Sequence, residues 1–132
     1  MVKGNDMTRA KAHARVAVLG ASPKPERYSF KAVRMLKEYK FLPIPVHPAG
    51  HLVDGDLSLK SLDEITEPVD TLTMYVGPEI SDKELDKILK LKPRRVIFNP
   101  GSENEVLAAK LEEAGIEVIR ACTLVMLRSD QF

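Results

Sequence analysis

Cysteine is nearly missing from this sequence. The chain of 132 residues holds one, Cys122, so no disulfide can form within it, and a reducing compartment such as the cytoplasm is the expected location. Charge of one sign is also missing. Lys and Arg number 20 against 19 Asp and Glu, a formal net charge of +1. That balance excludes the large basic field that non-specific nucleic-acid binding needs, while leaving room for a local basic cluster on one anionic ligand. Long apolar runs are absent too. The opening stretch MVKGNDMTRAKAHAR has no hydrophobic segment of the kind a signal peptide or membrane helix requires. Nothing in it alternates or repeats, so residues 1–14 are expected to form a flexible segment ahead of a single domain over 15–132.

A further absence lies at Val16–Pro25, VAVLGASPKP. An apolar run ends at a glycine, as a buried strand does where it meets a phosphate loop. A dinucleotide loop would read Gly-x-Gly-x-x-Gly, yet Ser22 and Pro25 stand where its second and third glycines belong. Binding of NAD also wants a carboxylate at the end of the second strand, for the ribose hydroxyls. His47 and Pro48 stand there instead, and the first carboxylate is Asp54. The NAD reading is demoted on both counts, although a basic loop could accept the extra phosphate of NADP.

What is present is a strict alternation of strand and helix patterns. Val16–Leu19 is a short apolar run suited to a strand buried on both faces. Ala32, Val33, Leu36 and Tyr39 repeat at helical spacing over Ser29–Tyr39. Leu42–Val46 follows as a strand whose Pro43 and Pro45 remove two N–H groups from the same side, so it belongs at a sheet edge. A polar loop with a possible short edge strand near Leu57–Lys60 comes next. Asp70–Val76, Arg95–Phe98 and Ile116–Ile119 read as further strands. Ser61, Ser81 and Ser102 each precede a Glu by three residues, the capping-box spacing. They predict a short turn, a helix carrying Leu85, Ile88 and Leu89, and a helix ending at Ala114-Gly115. Thr123–Leu127 closes as a helical turn.

This pattern defines the fold class as α/β: a Rossmann-like doubly wound parallel sheet flanked by helices, in a single domain. Ligands of such sheets sit beyond the carboxyl ends of the strands, at the switch point between the first strand and the one opening the second half. Here those are Val16–Leu19 and Asp70–Val76. Topology therefore nominates Gly20–Ser29, His47–Gly50, Val76–Pro78 and Asn99–Ser102. Gly20 permits a tight turn, Ala21 and Ser22 are small, the helix start near Ser29 favours a phosphate, and Lys24 and Arg27 add positive charge.

The stretches GASPKPERYS, PIPVHP, PVDTLTMYVGPE, RVIFNPGSEN and AGIEVIRACTLVML, in that order, resemble the small stand-alone CoA-binding proteins. These are relatives of the CoA-binding domain of succinyl-CoA synthetase and of ADP-forming acyl-CoA synthetases. The resemblance runs from Arg15 to the end of the chain. It implies a pyrophosphate on Gly20, Ala21, Ser22 and Lys24, with Tyr28 and Ser29 at the helix start. It implies adenosine beside His47 and Pro48. Adenine and pantetheine would pass Val76, Gly77, Pro78 and the turn Asn99, Pro100, Gly101. The ligand implied is CoA or an acyl-CoA, bound without catalysis, and the expected role is that of a small non-catalytic module serving as a sensor or regulator. No membrane or nucleic-acid partner is implied, and a second copy or another protein is left open. The other readings are a nucleotide-dependent oxidoreductase or redox sensor using NADP, and an interaction domain with a vestigial pocket. His47, His51, Asp54 and Asp56 read as a polar loop rather than a metal set. Cys122 is expected at the carboxyl edge of the last strand, either as packed core or as a thiol able to meet the CoA thiol.

Overall fold

The computed structural model describes residues 9–132. Five strands form one parallel sheet: β1 (Arg15–Leu19), β2 (Leu42–Val46), β5 (Thr71–Met74), β6 (Arg95–Phe98) and β7 (Glu117–Arg120), in the order β2-β1-β5-β6-β7. A two-stranded antiparallel hairpin, β3 (Leu52–Val53) and β4 (Asp56–Leu57), stands apart. The helices are α1 (Tyr28–Glu38), α2 (Pro78–Ser81), α3 (Leu85–Leu91), α4 (Glu105–Glu113) and α5 (Thr123–Arg128). The sheet is doubly wound, as the alternation of patterns requires.

Side chains along β1 alternate between two cores, because successive residues of a strand point to opposite faces. Val16 and Val18 meet Phe30, Val33 and Leu36 of α1 and Met126 and Leu127 of α5. Ala17 and Leu19 meet Ile88 of α3 and Leu107, Ala108 and Leu111 of α4. The sheet is thus covered on both sides, and full burial of a side chain such as Leu36 contributes about 1.5–3 kcal/mol.

Strand β2 lies at one edge, as its prolines demand. Pro45 offers its carbonyl outward to Leu59 N–H at 3.0 Å, and His47 N–H donates to Leu59 O at 2.8 Å. Pro43 shares that outward side by alternation, so the edge lacks N–H donors at both prolines. The short strand expected near Leu57–Lys60 is reduced to this single bridge between Val46 and Leu59.

Two helix starts differ from the capping-box reading. The segment carrying Leu85 and Ile88 begins earlier, at Pro78, with Gly77 as N-cap. Ser81 is already helical and buried, and it accepts a hydrogen bond from Asn104 Nδ2 at 2.9 Å. At the next helix the cap is Asn104, whose Oδ1 accepts from Leu107 N–H at 3.1 Å, while Ser102 Oγ donates to Asn99 O. In the second case a neighbour, Asn104, takes the cap; in the first the chain is already helical by Ser81, and Gly77 precedes that helix without a side-chain cap. At Ser61 the cap forms as expected, over the turn Leu62–Glu64.

Of the segment expected to be flexible, residues 1–8 lie outside the described residues. Its inner end is tied down instead of loose. Ala10 N–H donates to Phe132 O at 2.7 Å, and Arg9 pairs with Asp130 at 2.9 Å.

Candidate functional site

The carboxyl ends of β1, β2 and β5 open into a cleft of about 390 Å³. Five of the residues nominated from sequence line it: Gly20, His47, Pro48, Val76 and Gly77. Leu19, Val46, Tyr75 and Ile80 add apolar wall, and Lys60, Ser61, Glu84 and Lys87 add polar groups.

Gly20 holds φ at +89°, and a Cβ there would come within 2.8 Å of Val76 Cγ1 and 2.9 Å of Tyr75 O. The glycine is therefore required twice, for its left-handed backbone and for the close passage of two strand ends. The loop that follows does not present its amides outward as its small residues had suggested. Gly20 and Ala21 both donate to Val46 O, at 2.9 and 3.3 Å. Ser22 N–H donates to Ser29 Oγ at 3.0 Å, and Lys24 N–H to Ser22 Oγ at 3.1 Å. The loop is a rigid scaffold that delivers α1. The open donors are in the first turn of α1, whose N–H groups have no partner within the helix. Its N-cap, Arg27, makes no side-chain cap, and no acidic residue occupies the first turn. Lys24 and Arg27 are exposed beside it. That is an arrangement for an anion.

Tyr28 faces elsewhere. It is 68% exposed and borders an outer groove with Lys31, Arg34, Leu124 and Arg128. It stands at the first position of α1, the helix start where the sequence reading placed it, and outside the lining of the cleft. Asn99 is also turned from the cleft. It is 2% exposed, and its Nδ2 donates to Thr73 Oγ1 at 2.7 Å and Met74 O at 2.9 Å. Its Oδ1 accepts from Thr123 N–H at 2.8 Å. Asn99 ties the ends of β5 and β6 to the start of α5. Pro78 is the exposed first residue of α2, and Pro100 and Gly101 are exposed on the turn after β6.

At the end of β2, His47 Nδ1 accepts from Ala49 N–H at 3.0 Å, which places the proton of the neutral ring on Nε2. His51 stacks on it at 4.5 Å between centroids, and His51 Nε2 lies 3.1 Å from Ala21 O. Burial lowers the His47 pKa below its ordinary value, and His51 lowers it further. Asp54, the first carboxylate after β2, is turned to α1. Burial lifts its carboxyl, but bonds from Arg34 and Lys37 hold it below the ordinary range. Among the described residues no group of three potential metal ligands comes together.

Tyr75 was not nominated, although it adjoins Val76. Its hydroxyl is buried with no hydrogen-bond partner. Burial raises the phenol well above its usual pKa. Thr123 and Thr73 lie close enough to offset part of that rise, but neither meets hydrogen-bond geometry with it. Cys122 is near enough to add to the rise, and is itself partly exposed rather than sealed in the core.

Fold and site together define a small Rossmann-like α/β domain with a one-glycine loop and an anion-ready helix start. The chain belongs to the family described as the CoA binding domain, which matches residues 14–128. It is similar to a crystal structure of an uncharacterised protein, with 42% identity, a TM-score of 0.88, and coverage of 92% of this chain and 100% of that one. It is 28% identical over 105 residues to the uncharacterised protein YneT of Bacillus subtilis (strain 168), covering 80% of this chain and 78% of that protein. The dinucleotide-forming acetyl-coenzyme A synthetase 1 of Ca. Korarchaeum cryptofilum, solved with phosphate and ADP, shares the fold at a TM-score of 0.73 and 21% identity, over 89% of this chain and 27% of the synthetase. Among the described residues no helix is long and apolar enough to cross a membrane.

The residues present fit CoA. The open turn of α1 with Lys24 and Arg27 suits a pyrophosphate, and the apolar walls at Val76 and Ile80 suit the pantetheine arm. CoA would supply a thiol to that arm's end, and the chain would supply the cradle.

Proposed function

We propose that residues 15–132 form a cytoplasmic, non-catalytic module that binds CoA or an acyl-CoA in this cleft and acts as a sensor or regulator. The observation that carries the reading is the uncapped, acid-free first turn of α1, beside a cleft whose lining carboxylate, Glu84, is paired with Lys87 at 3.7 Å and comes from the helical segment after β5, not from the end of β2. Gly20, Ala21 and Ser22 fix the turn, Ser29 anchors it, and Lys24 supplies charge to the pyrophosphate. His47 and Pro48 flank the adenosine, while Val76, Gly77 and Pro78 border the path of the arm. Pro100 and Gly101 lie on the turn past β6, and Asn99 holds that turn in place.

The test is thermal denaturation with added ligand. CoA at a hundredfold excess over its dissociation constant should stabilise the fold by about 2.7 kcal/mol. NAD at the same concentration should leave the melting temperature near that of the free protein. A larger shift with NAD or NADP than with CoA would overturn the reading.

Lys24→Ala is expected to weaken CoA binding by about fivefold at low ionic strength, within the range of an exposed charge pair of up to about 1 kcal/mol. The penalty should shrink in high salt, because an exposed charge is screened there. Calorimetric titrations at two salt concentrations check this, and a salt-independent loss would place Lys24 in a structural role.

A further inference from the structure

The segment after β2 reverses the charge that a ribose-binding edge carries in NAD domains. There a carboxylate faces the ribose hydroxyls. Here both early carboxylates are spent on α1. Asp54 bonds Arg34 and Lys37, and Asp56 pairs with Lys37 at 2.9 Å. Facing the cleft instead are Lys60, Ser61 and His47.

Lys60 is held there by the backbone. The residue before it, Leu59, bonds on both sides of its peptide to the end of β2, through Pro45 and His47. Lys60 N–H donates to Glu64 Oε1 at 2.8 Å, which fixes the next peptide. Its stem then crosses Gly50, where a Cβ would come within 2.9 Å of Lys60 Cε and 3.3 Å of Cγ. Gly50, at φ +64°, is thus the floor that lets the lysine lie flat across the loop after β2. No ion pair engages the Lys60 ammonium among the described residues. The other cation of the cleft, Lys87, has Glu84 at 3.7 Å. On the same side, His47 keeps a donor on Nε2, because Ala49 N–H occupies Nδ1. A lysine, a hydroxyl and an imidazole donor at the end of the second strand suit a dianion.

We propose that Lys60, with Ser61 and His47, forms a subsite for a phosphate monoester on the ribose of the adenosine ligand, and so selects CoA over dephospho-CoA. This rests on the CoA reading above. The 3′-phosphate of CoA and the 2′-phosphate of NADP share the required chemistry, and the test separates them.

The experiment is calorimetric titration of the parent chain, Lys60→Met and Lys60→Arg with CoA, dephospho-CoA, NADP and NAD. Methionine keeps a flexible stem over Gly50 and removes the charge. The parent should bind CoA about tenfold tighter than dephospho-CoA, the scale of one charge-assisted contact. Lys60→Met should lose most of that preference through weaker CoA binding, with dephospho-CoA unchanged. Lys60→Arg should retain it. Equal binding of CoA and dephospho-CoA by the parent, or equal weakening of both in Lys60→Met, overturns the subsite while leaving the CoA reading intact. A parent that binds neither CoA form but prefers NADP to NAD through Lys60 overturns the CoA reading and keeps the subsite. A parent that binds none of the four overturns both.

Discussion

Gly20→Val is expected to abolish CoA binding and to lower the melting temperature by about 10–20 °C, the shift that about 3–5 kcal/mol brings in a domain of this size. The cost has two sources. A β-branched residue must enter the left-handed region at φ +89°, and its Cβ must enter space held by Val76 Cγ1 and Tyr75 O. The second source is the larger concern for function. Val76 and Tyr75 both wall the cleft, so relieving the clash moves the site. Gly115→Ala isolates the first source. Gly115 has φ +86°, nothing within 4 Å of a Cβ, and a position after α4 away from the cleft. That variant should lose only about 1 kcal/mol and bind CoA as the parent does. Circular dichroism melts and ligand titrations of both variants make the comparison. Parental stability and affinity in Gly20→Val would show that the close strand passage is not required.

The second large effect is expected at Asn99. Asn99→Ala removes two donors and one acceptor from a buried network and leaves Met74 O and Thr123 N–H without their partners. Each stranded buried group costs about 1–3 kcal/mol, so a loss of about 2–4 kcal/mol is expected. Thr73 Oγ1 stays bonded to Thr123 Oγ1 at 2.7 Å, which limits the damage. Because the Asn99 side chain faces the protein, CoA affinity well below the melting temperature should fall far less than in Gly20→Val. A variant with parental stability and lost CoA binding would reverse that assignment and make the amide a ligand contact.

The strands and the switch point were legible in the sequence because they depend on strong, local signals. Val16–Leu19 is apolar without interruption, and Pro43 with Pro45 can sit only at an edge. Helix starts were less legible. The serine-to-glutamate spacing at Ser81 and Ser102 is real, but Ser81 already lies inside a helical turn begun at Pro78 and Asn104 takes the cap next to Ser102, and spacing carries no information on either outcome. The β3–β4 hairpin escaped because two-residue strands are too short to show a period. Its signal was the Asp54-Gly55 pair, both with positive φ, which is the pattern of a tight hairpin turn. At the candidate site, residue type pointed to a loop that reaches the cleft through Gly20, but not to the direction of its groups. Small side chains at Ala21 and Ser22 suggested open amides, yet Val46 O and Ser29 Oγ take them. Lys60 and Tyr75 were invisible as residues lining the cleft, since their place depends on the Val46–Leu59 bridge and on how β5 ends beside Gly20.

The proline edge of β2 also bears on how these molecules meet one another. A fibril grows because each added chain offers a fresh template on its far side. With no amide hydrogens at Pro43 and Pro45, and Leu59 occupying the next positions, an incoming strand finds carbonyls it can donate to and almost nothing that donates back. Among the described residues, only the β7 side of this sheet could accept another strand. A sheet open at one end can pair once and then has nowhere to extend, so templated polymerisation is blocked even where dimerisation is not.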